Sequence, residues 1–261
     1  MSNVAAIRPI GSIRDQVSEE EWSIRVDLAA AYRLVAHYGW DDLIFTHISA
    51  RAPGPEHHFL INPYGMMFEE ITASSLIKID RAGELVVPSD HVVNQAGFTI
   101  HSAVHEARDD ARCVMHLHTM DGTAVSTDDR GLLPLNQTSL LIRNQIAWHE
   151  YEGVAVDLDE RPRLQNDLGD RNYMLLWNHG TLTCGKTVAE AFQRMYFLER
   201  ACSMQVRTLS SGAEIHPVQD KIIEKTRHQG SNGDAFATIA NTMAWPALLR
   251  MLDRRDPSFR Q

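Results

Sequence analysis

Cysteine is scarce in this 261-residue chain: Cys113, Cys184 and Cys202 stand apart and form no CxxC. An odd count at such spacing excludes a disulfide scaffold and reads as reduced thiols. Basic charge is in deficit, with 25 Lys and Arg against 34 Asp and Glu and a net charge of −9. Such a surface repels phosphate backbones, so no nucleic-acid partner is expected. No run approaches about 18 apolar residues, so no membrane partner is expected either. The opening stretch MSNVAAIRPIGSIRDQVSEEE has no apolar run with a cleavage site, and a cytoplasmic location is the expectation. Repeats and low-complexity tracts are lacking. What remains is ordinary soluble material, 44% hydrophobic and 23% charged, long enough for one sizeable core. The unusual abundance is histidine, at 13.

Residues 1–18 read as a flexible N-terminal arm and 19–261 as a single domain, with 210–261 a C-terminal extension. Ser18-Glu19-Glu20-Glu21 fits a capping box. Apolar residues from Trp22 to Ala36 at helical spacing then predict a helix that Gly39 stops. Leu43 to Arg51, His58–Asn62 and Glu84–Val87 read as strands, and Ala96–Arg108 as a helix. Arg112–His118 is a buried strand, and Leu140–Glu150 and Arg161–Leu168 are expected helices. Asn172–Trp177 is an apolar strand entering the turn Asn178-His179-Gly180. Thr187–Leu209 is a long amphipathic helix, followed by a polar stretch, Ser210 to Asp234, and a helix ending near Leu252. Strands alternating with helices predict an α/β or α+β chain, with helices covering a sheet.

Cys113-Val114-Met115-His116-Leu117-His118 carries the clearest chemistry. On a strand, positions i and i+2 share a face, so His116 and His118 present two imidazoles side by side. His179, also just beyond an apolar strand, is the candidate third ligand. Three neutral imidazoles leave coordination positions open, which suits a Lewis acid better than a closed structural ion. His101 and His105 lie four apart on a helix without the acidic residue of an HExxH pattern. His57, His58, His149, His216 and His228 read as surface or loop residues. Tyr64 and Tyr151 are candidate proton donors, and Arg51 and Arg143 candidate partners for a substrate carboxylate. Cys184, beside the candidate site, reads as a small buried apolar residue.

The order of blocks Ile61-Asn62-Pro63-Tyr64-Gly65, Glu70 to Leu76, Ala96-Gly97-Phe98 with His101, HLHT at 116–119 and NHGTLTCG at 178–185 resembles the class II aldolase/adducin family. The resemblance runs from about Trp22 to Leu209. It implies a three-layer α/β/α sandwich around a mostly antiparallel central sheet, and a homo-oligomer, typically a tetramer with sites between subunits. In the family's sugar-phosphate aldolases a divalent metal, usually zinc, sits on three histidines matching His116, His118 and His179. Iron or manganese would suit the same imidazoles. The family's ligand-binding loops match His47, Asn62, Gly65 and Gln95, which become the expected contacts to a small-molecule substrate.

The resemblance departs at the catalytic carboxylate, which falls on Gly97, so the residue that moves the proton is left unassigned. The phosphate-binding serines fall on Gln95 and Ala96, and the phosphate-loop asparagine on His47. Each missing hydrogen bond to a charged acceptor costs roughly 1.5–3 kcal/mol, which disfavours a phosphorylated substrate. The expectation is a metal-dependent lyase cleaving a carbon–carbon bond, by aldol-type cleavage or decarboxylation, in a small non-phosphorylated carbonyl or carboxylate compound. A non-haem iron oxygenase on the same triad and a non-catalytic adducin-like binding protein stand as alternatives.

Overall fold

The computed structural model describes residues 13–155 and 157–261, without the side chains of Gln95 and Ala96. A short α1 (Ile13–Gln16) precedes α2 (Glu19–Tyr38). The Ser18 hydroxyl caps α2 by accepting from the Glu21 amide at 3.1 Å, and Gly39 ends it in the left-handed region at φ 67°. Three strands follow, β1 (His47–Arg51), β2 (Phe59–Ile61) and β3 (Ile77–Ile79). Next come α3 (Gln95–Ala107), β4 (Cys113–Leu117), α4 (Met120–Ser126), α5 (Gln137–Ile142), β5 (Ile146–His149) and α6 (Arg161–Leu168). The strands β6 (Tyr173–Leu176) and β7 (Gly180–Gly185) lead into the long α7 (Val188–Ser210). The chain closes with α8 (Asp220–Gly230), α9 (Gly233–Ile239), a π-helical turn (Ala240–Ala244) and α10 (Trp245–Arg255).

The strands form one sheet in the order β3-β2-β1-β4-β7-β6-β5. Every pairing is antiparallel except that of β5 with β6. Alternation along β4 divides the core: Cys113, Met115 and Leu117 pack with α2 and α7, whereas Val114 packs with α3 and α6. Helices thus cover both faces, the expected three-layer sandwich. By the same alternation β1 sends Ile48 and Ala50 to the α2 side and turns His47 and Ser49 toward α3.

Several elements differ from the sequence reading. Leu140–Glu150 is not one helix: α5 ends at Ile142, and Ile146–His149 pairs with β6 as an edge strand. A short apolar run next to a helix carries no periodicity that separates strand from helix. Glu84–Val87 makes only an isolated bridge, Ile79 with Leu85. The polar stretch Ser210 to Asp234 contains α8, whose buried side is small, with Thr226 its buried residue.

Candidate metal centre

β4 and β7 are antiparallel neighbours, so the residues just after β4 and just before β7 meet at one end of the sheet. His118 and His179 occupy those positions, beside His116 on β4 itself. Two backbone features permit the approach. Asn178 adopts φ 55° to turn the chain before His179. At Gly180 a Cβ would stand 2.6 Å from the Leu117 carbonyl oxygen, so only glycine fits. The imidazole rings then converge, with centroids 4.9 Å apart for His116 and His118, 4.7 Å for His116 and His179, and 4.9 Å for His118 and His179.

The outer nitrogens of the HxH pair are already engaged. His116 Nδ1 donates to the Thr181 carbonyl at 3.1 Å, and His118 Nδ1 meets the Asp42 carboxylate at 3.1 Å. In the neutral form that a metal requires, both Nε2 atoms face inward as acceptors, 3.1 Å apart. Two lone pairs at that distance repel unless they share a cation. With nitrogen–metal bonds of about 2.0–2.1 Å, a tetrahedral site spaces its nitrogens about 3.3 Å apart. One ligand nitrogen from each of the three histidines lies within 4.8 Å of the others. The donor set, its spacing and the outer hydrogen bonds fit a divalent cation. Burial, reinforced by its histidine neighbours, holds His116 well below the usual imidazole range, and brings His179 to about 4. Both are in the neutral form that a metal requires.

A second histidine system runs away from this centre through the α3 side of the sheet. His47 Nδ1 lies 3.1 Å from His101 Nε2, and His101 Nδ1 lies 2.6 Å from the Ser49 hydroxyl. That hydroxyl is 2.7 Å from His105 Nε2, and His105 Nδ1 is 2.8 Å from the Ala111 carbonyl. Burial lowers all three histidines, His47 and His105 to about 3, so they are neutral at pH 7. The Ala111 carbonyl can only accept, and it sets the direction of the chain. His105 donates to it, Ser49 donates to His105, His101 donates to Ser49, and His47 donates to His101. The His47 Nε2 is left as a bare acceptor.

Gly97 lies against that ring. A Cβ at Gly97 would stand 2.0 Å from His47 Cδ2 and 2.4 Å from Nε2. The imidazole of His47 thus fills the space beside α3 into which a side chain at 97 would project. His47 is also the β-ladder partner of His116, and their rings are 5.6 Å apart.

The other predicted residues divide. Asn62 follows β2 at the His47 end of the sheet, but it is buried and its Oδ1 meets the Tyr32 hydroxyl at 2.8 Å. Gly65 is exposed in the next turn at φ 103°. Gln95 opens α3 beside Gly97, its side chain outside the described residues. Tyr151 is 6.1 Å from the His179 ring, centroid to centroid. Arg51 sits at the opposite end of β1 from His47 and bonds the His105 carbonyl and Asp109, which removes it from the centre. Arg143 reaches back to the Leu132 carbonyl. Cys184 is buried as expected but lies at the far end of β7, among apolar residues rather than beside the histidines. His149, expected on the surface, is buried on β5 between Asp167 at 2.8 Å and Glu160 at 3.2 Å. It lies on β5 rather than on the helix expected over Leu140–Glu150, and that strand turns it inward.

Sequence reasoning missed Asp42 and Thr46. Leu43 at φ 51° and Thr46 at φ 66° hold the segment before His47 in the left-handed region. A β-branched residue is a genuine outlier there, and such strain concentrates at functional sites. The Thr46 hydroxyl is buried without a hydrogen-bond partner.

Residues 26–206 match the family model for the class II aldolase and adducin N-terminal domain. The chain belongs to that family. A Caulobacter vibrioides protein whose name places it among class 2 aldolases is 54% identical over 252 residues, covering 96% of this chain and 97% of that one. Rat alpha-adducin is 38% identical across 96% of this chain, which spans 36% of the adducin. Among solved structures, an aldolase II superfamily protein from Pseudomonas syringae is 48% identical with a TM-score of 0.89, over 96% of this chain and 100% of that one. An L-fuculose 1-phosphate aldolase from Glaciozyma antarctica is 25% identical with a TM-score of 0.79, over 98% and 97%.

Proposed function

We propose that this protein is a divalent-metal lyase that breaks a carbon–carbon bond in a small, non-phosphorylated substrate bearing a carbonyl or carboxylate. The observation that carries the reading is the pairing of three convergent imidazoles with the packing of His47 against Gly97. A divalent cation, zinc by preference, on His116, His118 and His179 would act as a Lewis acid, drawing electrons from a carbonyl oxygen as the adjacent bond breaks. The chain's own groups do the rest. His47, held in one tautomer by His101, offers Nε2 as an acceptor for a substrate hydroxyl. The first turn of α3 brings the positive end of a helix toward a substrate carboxylate. With no carboxyl group at Gly97, decarboxylation is the favoured variant, because carbon dioxide lost from a 3-oxo acid leaves the electron pair to the neighbouring carbonyl and no base has to remove a proton.

Elemental analysis of protein purified without chelator tests the metal: about one ion per chain is expected, lost in His116→Ala and His179→Ala. A panel of 3-oxo acids and 4-hydroxy-2-oxo acids, assayed for carbon dioxide and aldehyde beside a sugar phosphate, then tests the reaction. Full turnover after metal removal, or preference for the phosphate, refutes the reading. Oxygen uptake would make the ion iron and the reaction an oxygenation.

The identity with alpha-adducin over nearly the whole chain favours a second reading, a binding role without turnover. A folded protein that takes up no metal would select it. We also expect a homo-oligomer, in which a second copy covers the apolar residues exposed around the site, Leu43, Phe45, Met120 and Tyr151. Sedimentation of the wild type beside Met120→Glu checks this.

A further inference from the structure

The two imidazoles of the HxH pair have outer partners of different kinds. His116 is buried, and its Nδ1 is bonded to the Thr181 carbonyl at 3.1 Å, within the β4–β7 ladder. That ring is held by backbone that is itself fixed in the sheet. His118 lies just beyond β4 with its side chain 29% exposed, and its Nδ1 meets Asp42 Oδ2 at 3.1 Å. The anchor is here a side chain, itself 43% exposed, from the turn between α2 and β1.

That turn is built to one shape. Trp40 fixes its start in the core, stacked on Tyr38 at 4.8 Å. The Phe45 amide closes the turn onto the Asp42 carbonyl at 2.8 Å. Leu43 and Thr46 both take left-handed backbone, a conformation that side chains of this kind adopt only where the surroundings impose it. At the end of the turn His47 enters β1 as the ladder partner of His116. Asp42 is not placed to be a ligand itself. Nδ1 and Nε2 are on different edges of the imidazole, so a carboxylate on Nδ1 stands away from a cation on Nε2.

We propose that Asp42 is a positioning residue for the metal: it keeps the His118 ring turned so that Nε2 stays on the cation, and so sets how fast the cation leaves. The proposal rests on the metal reading above. A cation on three imidazoles escapes when one of them swings away, and of the HxH pair His118 is the ring held by an exposed side chain rather than by the sheet. The carboxylate also makes Nε2 more basic, as the outer partners of ligating histidines do. As an exposed pair, the contact contributes little to folding, so its loss acts on the metal and not on the fold.

The probes are zinc and cobalt(II), added to full-length wild type, Asp42→Asn, Asp42→Ala and the control Asp41→Asn. Competition with a chromophoric chelator reads affinity, and a chelator chase reads release. Asp42→Ala should bind zinc about 10–100-fold more weakly, mainly through faster release. Asp42→Asn, whose amide oxygen still accepts from Nδ1, should fall between it and the wild type. Asp41→Asn removes the same charge one residue away and should stay within twofold of wild type. The visible absorption of bound cobalt(II), which reports coordination geometry, should shift in Asp42→Ala alone of the two sites' variants. The metal-free proteins should melt together. Wild-type affinity and release in Asp42→Ala overturn the proposal and leave the metal reading intact. Equal weakening in Asp41→Asn also overturns it, by assigning the effect to charge in general. Should Asp42→Ala fail to fold, Asp42→Asn decides, and unchanged release from it overturns the proposal. A wild type that takes up neither ion refutes the metal reading itself, and this proposal with it.

Discussion

The two ends of β7 border interiors of opposite kinds. At the histidine end, the bordering groups are polar and closely fitted: Glu199 accepts from Thr119 beneath the loop of His118, and Met195 touches Thr181. At the other end, aromatic side chains of α7 and the C-terminal helices stand around a half-open groove, and Gln193 Oε1 is buried without a partner. The first interior is specified by a hydrogen-bond chain directed from His47 to the Ala111 carbonyl, and at Gly97 it has no room for a methyl group. The second is specified by shape alone and has room to spare. Directional networks fail at a single displaced atom, whereas apolar walls tolerate substitution at nearly constant volume.

The largest expected difference follows from removing a ligand. His116→Ala and His179→Ala should each lose stoichiometric metal and all metal-dependent turnover, while every substitution in the groove wall leaves metal content unchanged. Gly97→Ala comes next. Its Cβ would collide with His47, so stability should fall by about 1–3 kcal/mol, and turnover by at least a hundredfold with metal retained. Adding His47→Ala should recover the melting temperature but not the activity. If the single substitution proves neutral in both assays, the close fit at this end is not functional.

A smaller effect separates the two kinds of buried acid–base group. Burial, with the neighbouring Asp121 charge against it, raises the Glu199 carboxyl to about 6. The folded state then binds the proton more tightly than the unfolded chain, so the penalty for ionising Glu199 grows as pH rises from about 4.5 to 6. Glu199→Gln should therefore stabilise the protein by about 2 kcal/mol at pH 7 and by nothing below pH 4. The lowered histidines act in the opposite sense. For His47 and His105 the unfolded chain binds the proton more tightly, so stability is whole above pH 6.5 and drains away as pH falls toward about 3. Denaturant melts across pH 3 to 8 would show both trends. The smallest effect belongs to the open end: Gln193→Leu should change stability by less than about 0.5 kcal/mol, or raise it slightly, because an unpartnered acceptor is removed.

Local signals carried much of the fold. The α2 cap, the Gly39 stop, the apolar strand ending in HLH and the amphipathic α7 each depend on residues within a few positions of one another. The misread elements lack such signals. Ile146–His149 is too short to show a period, and its strand character comes from pairing with β6. β7 is built largely of glycine and threonine, and its place beside β4 follows from the sheet. The three metal candidates were legible because two share a strand face and the third repeats their context.

The sequence by itself determined which residues could bind a cation, because imidazole spacing on a strand is a property of the backbone alone. It also showed that position 97 has no side chain and that position 47 has a histidine. Only the tertiary structure decided that these two facts are one. β1 and α3 bring His47 against Gly97, and the carbonyl of Ala111, at the end of a chain of three imidazoles and a hydroxyl, determines which nitrogen His47 presents. Hydrogen-bond direction and shared volume are set by groups distant in sequence, and they exist only once the sheet has closed over the helix.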